Sequence, residues 1–270
     1  MGAYVGAANV VLHTPRGSGT AHLAGLVWTL VRTDFKARYH GTFAGFVWAL
    51  LKPFSMFLVL LAVFSFAFAN DPDYRLNLIV GLFLWDFFAD GTKVGLTSLL
   101  AKGYLISKAK FPRWIIVVAS LSNAVITLAV FTVVIVAFLA ASGRAPAPAH
   151  LALFGLLLVH YFLLVVGFGL ASSVLFLRYR DLNQVWDLAI QAGFFVAPIV
   201  YPLDILPEKY HWYLYLWPPT LFIQLARLAL VQGEAPTLRA YGLLFAATAL
   251  ALGVGVLVYR RHAPRAAENL

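Results

Sequence analysis

Residues 114–141 read WIIVVASLSNAVITLAVFTVVIVAFLAA, a stretch without one Asp, Glu, Lys or Arg. A helix needs about 20 mostly apolar residues to cross a hydrocarbon core of roughly 30 Å, so this stretch alone points to a membrane. The same test applied outward finds five further candidate spans, at 42–69, 76–100, 151–177, 185–201 and 238–258. Pro198 and Pro202 interrupt the far end of the fifth crossing, 185–201. The expected fold is all-α and integral to the membrane, with one membrane domain over 21–270 behind a leader at 1–20.

Composition agrees. Hydrophobic residues make up 62% of the chain and charged residues 11%, against about 45–50% and about 25% in soluble domains. There is no cysteine, which excludes thiolate catalysis, Cys-ligated zinc and Fe–S clusters. The net charge of +9 raises a question of placement in the membrane rather than of nucleic-acid binding. Thirteen basic residues fall on one side of the six spans: Arg16, Arg32, Lys36, Arg38, Lys102, Lys108, Lys110, Arg113, Arg178, Arg180, Arg260, Arg261 and Arg265. Five fall on the other: Arg75, Arg144, Lys209, Arg227 and Arg239. The basic side is expected to be cytoplasmic, with both termini on it. The first twenty residues lack the pattern of a signal peptide, and Gly6 stands where a myristoylation signal needs Ser or Thr.

Residues 21–40 are helical in pattern but too charged to span. Val27, Leu30, Val31 and Phe35 share one face, and Thr29, Arg32, Thr33 and Lys36 the opposite one. That fits a helix lying in the membrane surface; a soluble helix docked on a partner has the same pattern. The stretch from Pro202 to Pro236 is too apolar for a solvated loop. It reads as short helices broken at Pro218-Pro219, with Tyr210, Trp212, Tyr213, Tyr215 and Trp217 before the break. Such a segment suits either the rim of a pathway or an aromatic belt.

No Gly-Lys dipeptide occurs, so there is no phosphate-cradling loop. A His-Glu-x-x-His helix and a Gly-x-Ser-x-Gly turn are also missing. No cofactor is expected on this chain, and any energy source must be an ion gradient or a separate ATPase. Asp86, Asp90 and Lys93 share one face of the second span. They read as a proton or ion relay, or as a self-neutralising cluster with Asp90 paired to Lys93. Lys52, beside Pro53 near the inner end of its span, has the reach to snorkel to the headgroups. Phe46, Phe57, Phe64 and Phe68 fall within roughly a 40° arc of the first span, a stripe suited to sugar rings or to a core. Gly167, Gly169, Ala171 and Ser173 give the small-residue spacing of a close helix contact.

The residues RTDFKARY at 32–39 and GFVWALLKP at 45–53, with GLFLWDFF at 81–88, the stretch 105–113 ending in Lys-Phe-Pro-Arg, and RYRDL at 178–182, occur in this order in another group of proteins. The chain resembles the permeases of type-2 ABC exporters of polysaccharide, the family that exports O-antigen, teichoic acid and capsule. The resemblance implies a transmembrane subunit, not an enzyme. It would form a homodimer in the bacterial inner membrane and bind two copies of a cytosolic nucleotide-binding subunit that holds ATP and Mg. The implied substrate is a polyprenyl-pyrophosphate-linked glycan. It would enter past Arg32, Lys36 and Arg38 and move along a channel lined by Phe46, Phe57, Phe64, Phe68, Phe194, Phe195 and Tyr201. Lys108, Lys110, Phe111, Arg113, Arg180, Asp181 and Asn183 would lie in the loops that contact the ATPase. The segment 207–231 would form an outer gate with Tyr213, Trp217, Pro218 and Pro219. Lys52 and Asp86 stand where the family pattern has Asn. The rival readings are a drug or small-lipid ABC permease and a proton-coupled carrier using Asp86 and Asp90.

Overall fold

The computed structural model describes residues 19–39, 45–104 and 112–264, with the side chains of 19–24, 37–39, 45–46 and 213 left aside. Every regular element among the described residues is helical. They are α1 (Gly19–Tyr39), α2 (Gly45–Phe64), α3 (Tyr74–Ala101), α4 (Trp114–Ala141), α5 (Pro148–Arg178), α6 (Leu182–Val196), α7 (His211–Leu214), α8 (Pro218–Arg227) and α9 (Leu238–His262). Pro148 and Pro218 open α5 and α8, where the missing N–H costs nothing. The Thr237 hydroxyl caps α9 by accepting from the Ala240 N–H. After α8 the chain forms one π turn, Leu228–Gln232, that ends at Gly233 with φ 69°. Only glycine takes that left-handed conformation without strain.

Four helices, α2, α4, α5 and α9, are long and apolar enough to cross a membrane. The chain is a multi-pass membrane protein. α3 has the length, at 28 residues, but carries Arg75, Asp86, Asp90 and Lys93. α2, α4, α5, α6 and α8 all pack against it, and Asp86, Asp90 and Lys93 are half-buried among them, while Arg75, in its first turn, is exposed. Charges at membrane depth are tolerated inside protein. The fifth expected span, 185–201, is helical only as far as Val196. α6 has 15 residues, about 22 Å at 1.5 Å per residue, and Ala197 turns extended with φ −71° and ψ 130°. Pro198 cannot continue the helix, so residues 197–201 form a break after it.

The closest helix packing lies where the small-residue spacing places it. A Cβ added to Gly167 would stand 2.5 Å from the Ala251 backbone, and one added to Gly255 would stand 2.2 Å from the Gly167 oxygen. On the other side of α5, a Cβ on Gly95 would stand 2.9 Å from the Gly169 Cα. α5 therefore meets α9 and α3 backbone to backbone, through glycines only two positions apart.

Charged groups tie both ends of the bundle. At the basic end the Lys102 ammonium pairs with Asp34 on α1 and donates to the Ser120 hydroxyl on α4 at 2.7 Å. Arg113 donates to the Ala263 oxygen just past α9 at 2.6 Å. At the opposite end Arg144 pairs with Asp73 at 2.9 Å. The Lys102–Asp34 pair is largely buried, with side chains 13% and 19% exposed. Lys102→Met should loosen α1 from the bundle by on the order of 2 kcal/mol, because it strands a buried carboxylate. Amide hydrogen exchange over residues 25–36 would then speed up at least about ten-fold, and adding Asp34→Asn should recover part of the protection. Unchanged exchange in the single variant would refute this role.

Candidate functional site

α6 is thinly covered by its own chain; Gly193 is its one buried residue. Gln184, Leu188, Gln191 and Phe195 recur at spacings of 4, 3 and 4, and so lie within roughly a 60° arc. All four are exposed, Leu188 at 67% and Phe195 at 69%. Two amides thus alternate with an aliphatic and an aromatic group along one open stripe. Trp186 and Asp187 hold α6 to α3. The Trp186 indole donates to the Thr92 hydroxyl at 3.0 Å, and the Asp187 carboxylate pairs with Lys93. Lys93 reaches across to the neighbouring helix, where a charge inside α6 needs a partner.

The half of the site toward Trp217 is aromatic. Trp217, the residue before α8, has its indole over Gly193, where an added Cβ would stand 2.4 Å away. Trp217 also lies near Trp85, Phe88 and Trp186, with ring centroids 6.4, 5.9 and 6.2 Å away. Phe194 meets Trp85 edge-on at 5.8 Å. This cluster locks the start of α8 onto α3 and α6. Pro219 is buried and Pro218 half-buried beside it. The expected helix break at Pro218-Pro219 is where α8 begins, while Trp217 is an anchor packed inward.

Sequence position alone puts Arg227 in an outer loop, yet it is 5% exposed. Its guanidinium donates from Nε to the Asn77 oxygen at 2.9 Å, from Nη1 to the Pro198 oxygen at 2.6 Å and from Nη2 to the Ile199 oxygen at 3.0 Å. The Tyr74 hydroxyl donates to the next carbonyl, Val200, at 3.0 Å. The carbonyls that the break after α6 leaves without helical partners are thus satisfied by two side chains, as a polar backbone away from water requires. Gly81 makes room for the guanidinium, since a Cβ there would lie 2.6 Å from Nη2. One signal for this role is in the sequence: a single charge in the apolar run 221–231.

The remaining expected residues divide. Arg32 and Lys36 are exposed on one face of α1, together with Trp28; the Arg38 side chain is outside the described residues. The phenylalanines of the first span stand in different surroundings. Phe57 is 1% exposed and packs edge-on against Phe138 at 5.6 Å, so it belongs to the chain's own core. α2 ends at Phe64, which places Phe68 in the turns that follow. The two rings stack on each other at 6.4 Å and pack against the core. The Phe46 side chain is outside the described residues. Phe195 is open, Phe194 half-covered, and the Tyr201 hydroxyl turns back to cap α6 on the Phe195 and Val196 oxygens. Arg180 and Asp181 are exposed between α5 and α6, with Asn183 half-buried beside them. Lys108, Lys110 and Phe111 lie outside the described residues, as does the Tyr213 side chain.

The sequence matches the ABC-2 type transporter family over residues 25–231, from α1 to the π turn after α8. The chain belongs to that family. This ABC-2 transporter chain is 29% identical over 192 residues to an O-antigen export system permease protein, RfbA, of Klebsiella pneumoniae, covering 71% of this chain and 74% of the relative. It is 27% identical over 190 residues to the RfbA of Myxococcus xanthus, covering 68% and 71%. The polysialic acid transport protein KpsM of Escherichia coli matches at 23% over 242 residues, covering 87% and 92%. The family match stops before α9, yet among the described residues α5 and α9 make the most extensive helix contact.

Proposed function

We propose that the chain is the membrane subunit of an ATP-driven exporter that moves lipid-linked polysaccharide, O-antigen above all, from the cytoplasmic side across the bacterial inner membrane. Six passes of the chain, both termini cytoplasmic, would pair with a second copy and with two cytosolic ATPase subunits. The relatives' names supply the substrate class. The structural observation that carries it is the open stripe of α6. Amides facing lipid would be costly, whereas in a wet pathway they can exchange hydrogen bonds with sugar hydroxyls. Phe195 and Leu188 offer the apolar faces on which sugar rings slide. Arg32 and Lys36 on α1 would meet the pyrophosphate where it enters.

The test combines assembly and transport. The tagged chain, purified in mild detergent, should bring down a nucleotide-binding subunit in equal amount. The double variant Gln191→Leu, Phe195→Ala should retain that subunit and lose about ten-fold or more in glycan export, because each lost contact weakens every step of a long chain's passage. A preparation that never contains an ATPase, or a variant that exports long glycan normally, would overturn the reading. Loss of long-glycan export with small-lipid transport intact would support it against a drug or small-lipid permease.

A further inference from the structure

α2 carries one charge. In its sequence, GFVWALLKPFSMFLVLLAVF, Lys52 is the eighth residue and the only ionisable one. At 1.5 Å per residue it stands about 10 Å along a helix of about 30 Å. The helix wheel puts Lys52 with Trp48, Ser55 and Val59, all exposed, Trp48 at 63% and Val59 at 57%. Pro53, Phe57 and Leu60 turn the other way, into the chain. Lys52 makes no ion pair with a described residue, in contrast to Lys93 and Lys102. An ammonium and a hydroxyl on one open face are a poor surface for hydrocarbon. They suit a wet pathway, like the amide stripe on α6.

We infer that Lys52 is an anion-binding residue of the transport pathway, holding phosphate or carboxylate oxygens of the passing substrate with Trp48 as its aromatic neighbour. This rests on the pathway reading above and adds to it a preference. Aromatic and amide surfaces bind neutral sugars, whereas a fixed ammonium binds anionic oxygen, with charge-assisted hydrogen bonds about twice as strong as neutral ones. Two sources would present that chemistry, the pyrophosphate between lipid and first sugar, and acidic sugars along the glycan. The Lys52 side chain has the length to reach either, and its flexible stem can follow a moving group.

The chain's lack of cysteine makes the test direct. Lys52→Cys, and separately Gln191→Cys as a marker for the pathway, are made in the full transporter with its ATPase subunit and placed in proteoliposomes. The thiol of Lys52→Cys should react with a charged, water-soluble aminoethyl methanethiosulfonate, which restores an ammonium at that position. ATPase stimulation is then measured with undecaprenyl pyrophosphate, with oligosialic acid and with a neutral dextran oligosaccharide. Lys52→Cys should lose about ten-fold of its response to at least one anionic probe and keep its response to dextran. Aminoethylation should restore the response; a neutral methyl thiol reagent should not. Loss confined to undecaprenyl pyrophosphate assigns the contact to the linker, and loss with oligosialic acid assigns it to acidic sugars. An unreactive thiol in Lys52→Cys beside a reactive one in Gln191→Cys would overturn the inference and leave the pathway standing, as would full anion response in Lys52→Cys. Unreactive thiols in both variants would remove the pathway reading itself.

Discussion

Arg227→Met is expected to abolish export and lower the unfolding midpoint by on the order of 10 °C. The guanidinium reaches three backbone oxygens: Asn77 in the first turn of α3, and Pro198 and Ile199 in the break after α6. Methionine fills much of the volume but leaves three buried acceptors unmet. Each orphan costs about 1–3 kcal/mol, and removing one member of a buried charged network typically costs about 3–5 kcal/mol in total. Arg227→Lys should recover little, because one ammonium cannot fan out to three carbonyls as a planar guanidinium does. Thermal unfolding in detergent, read beside glycan export in cells, checks both parts. A variant that melts and exports like the parent would show that the break holds itself.

The second large effect is at the crossing of α5 and α9, and it comes with its own control. Gly255→Ala places a methyl 2.2 Å from the Gly167 oxygen, where neither backbone can yield. Overpacking of this kind costs about 1–3 kcal/mol and sometimes more. Gly253, two residues earlier on the same helix, has open space around it. Gly253→Ala should therefore stabilise α9, by up to about 1 kcal/mol from helix propensity. Opposite signs from the same substitution in one turn would separate contact from propensity. Equal effects, measured as midpoint shifts in the same detergent, would show that the crossing does not hold the helices.

The sequence reveals most where one physical rule dominates. Apolar length alone locates α2, α4, α5 and α9, since hydrocarbon tolerates little else. The glycine spacing on α5 marks its packing face, because only small residues allow that approach. Sequence is a weaker guide where tertiary partners decide. A lysine near two aspartates reads as paired on its own helix, and the competing partner, Asp187, is 94 residues away. The phenylalanine stripe has the right angle for a lining surface, but periodicity gives a face and not its neighbour. Phe138 of α4 occupies that side. Arg227 looks like a flanking charge, because nothing local announces a break in another segment that needs donors.

The uneven coverage of the helices also bears on how such a protein can change through descent. α3, α5 and α9 interlock through glycines and buried aliphatic side chains, so substitutions at those contacts cost stability. The open stripes of α2 and α6 touch little else in the chain, and replacements at Trp48, Lys52, Gln184 or Gln191 leave that frame intact. A lineage can thus alter its lining residues one at a time without passing through unfolded intermediates. Cargo preference would then drift faster than architecture, and two members could share every packing glycine while carrying chemically unlike chains.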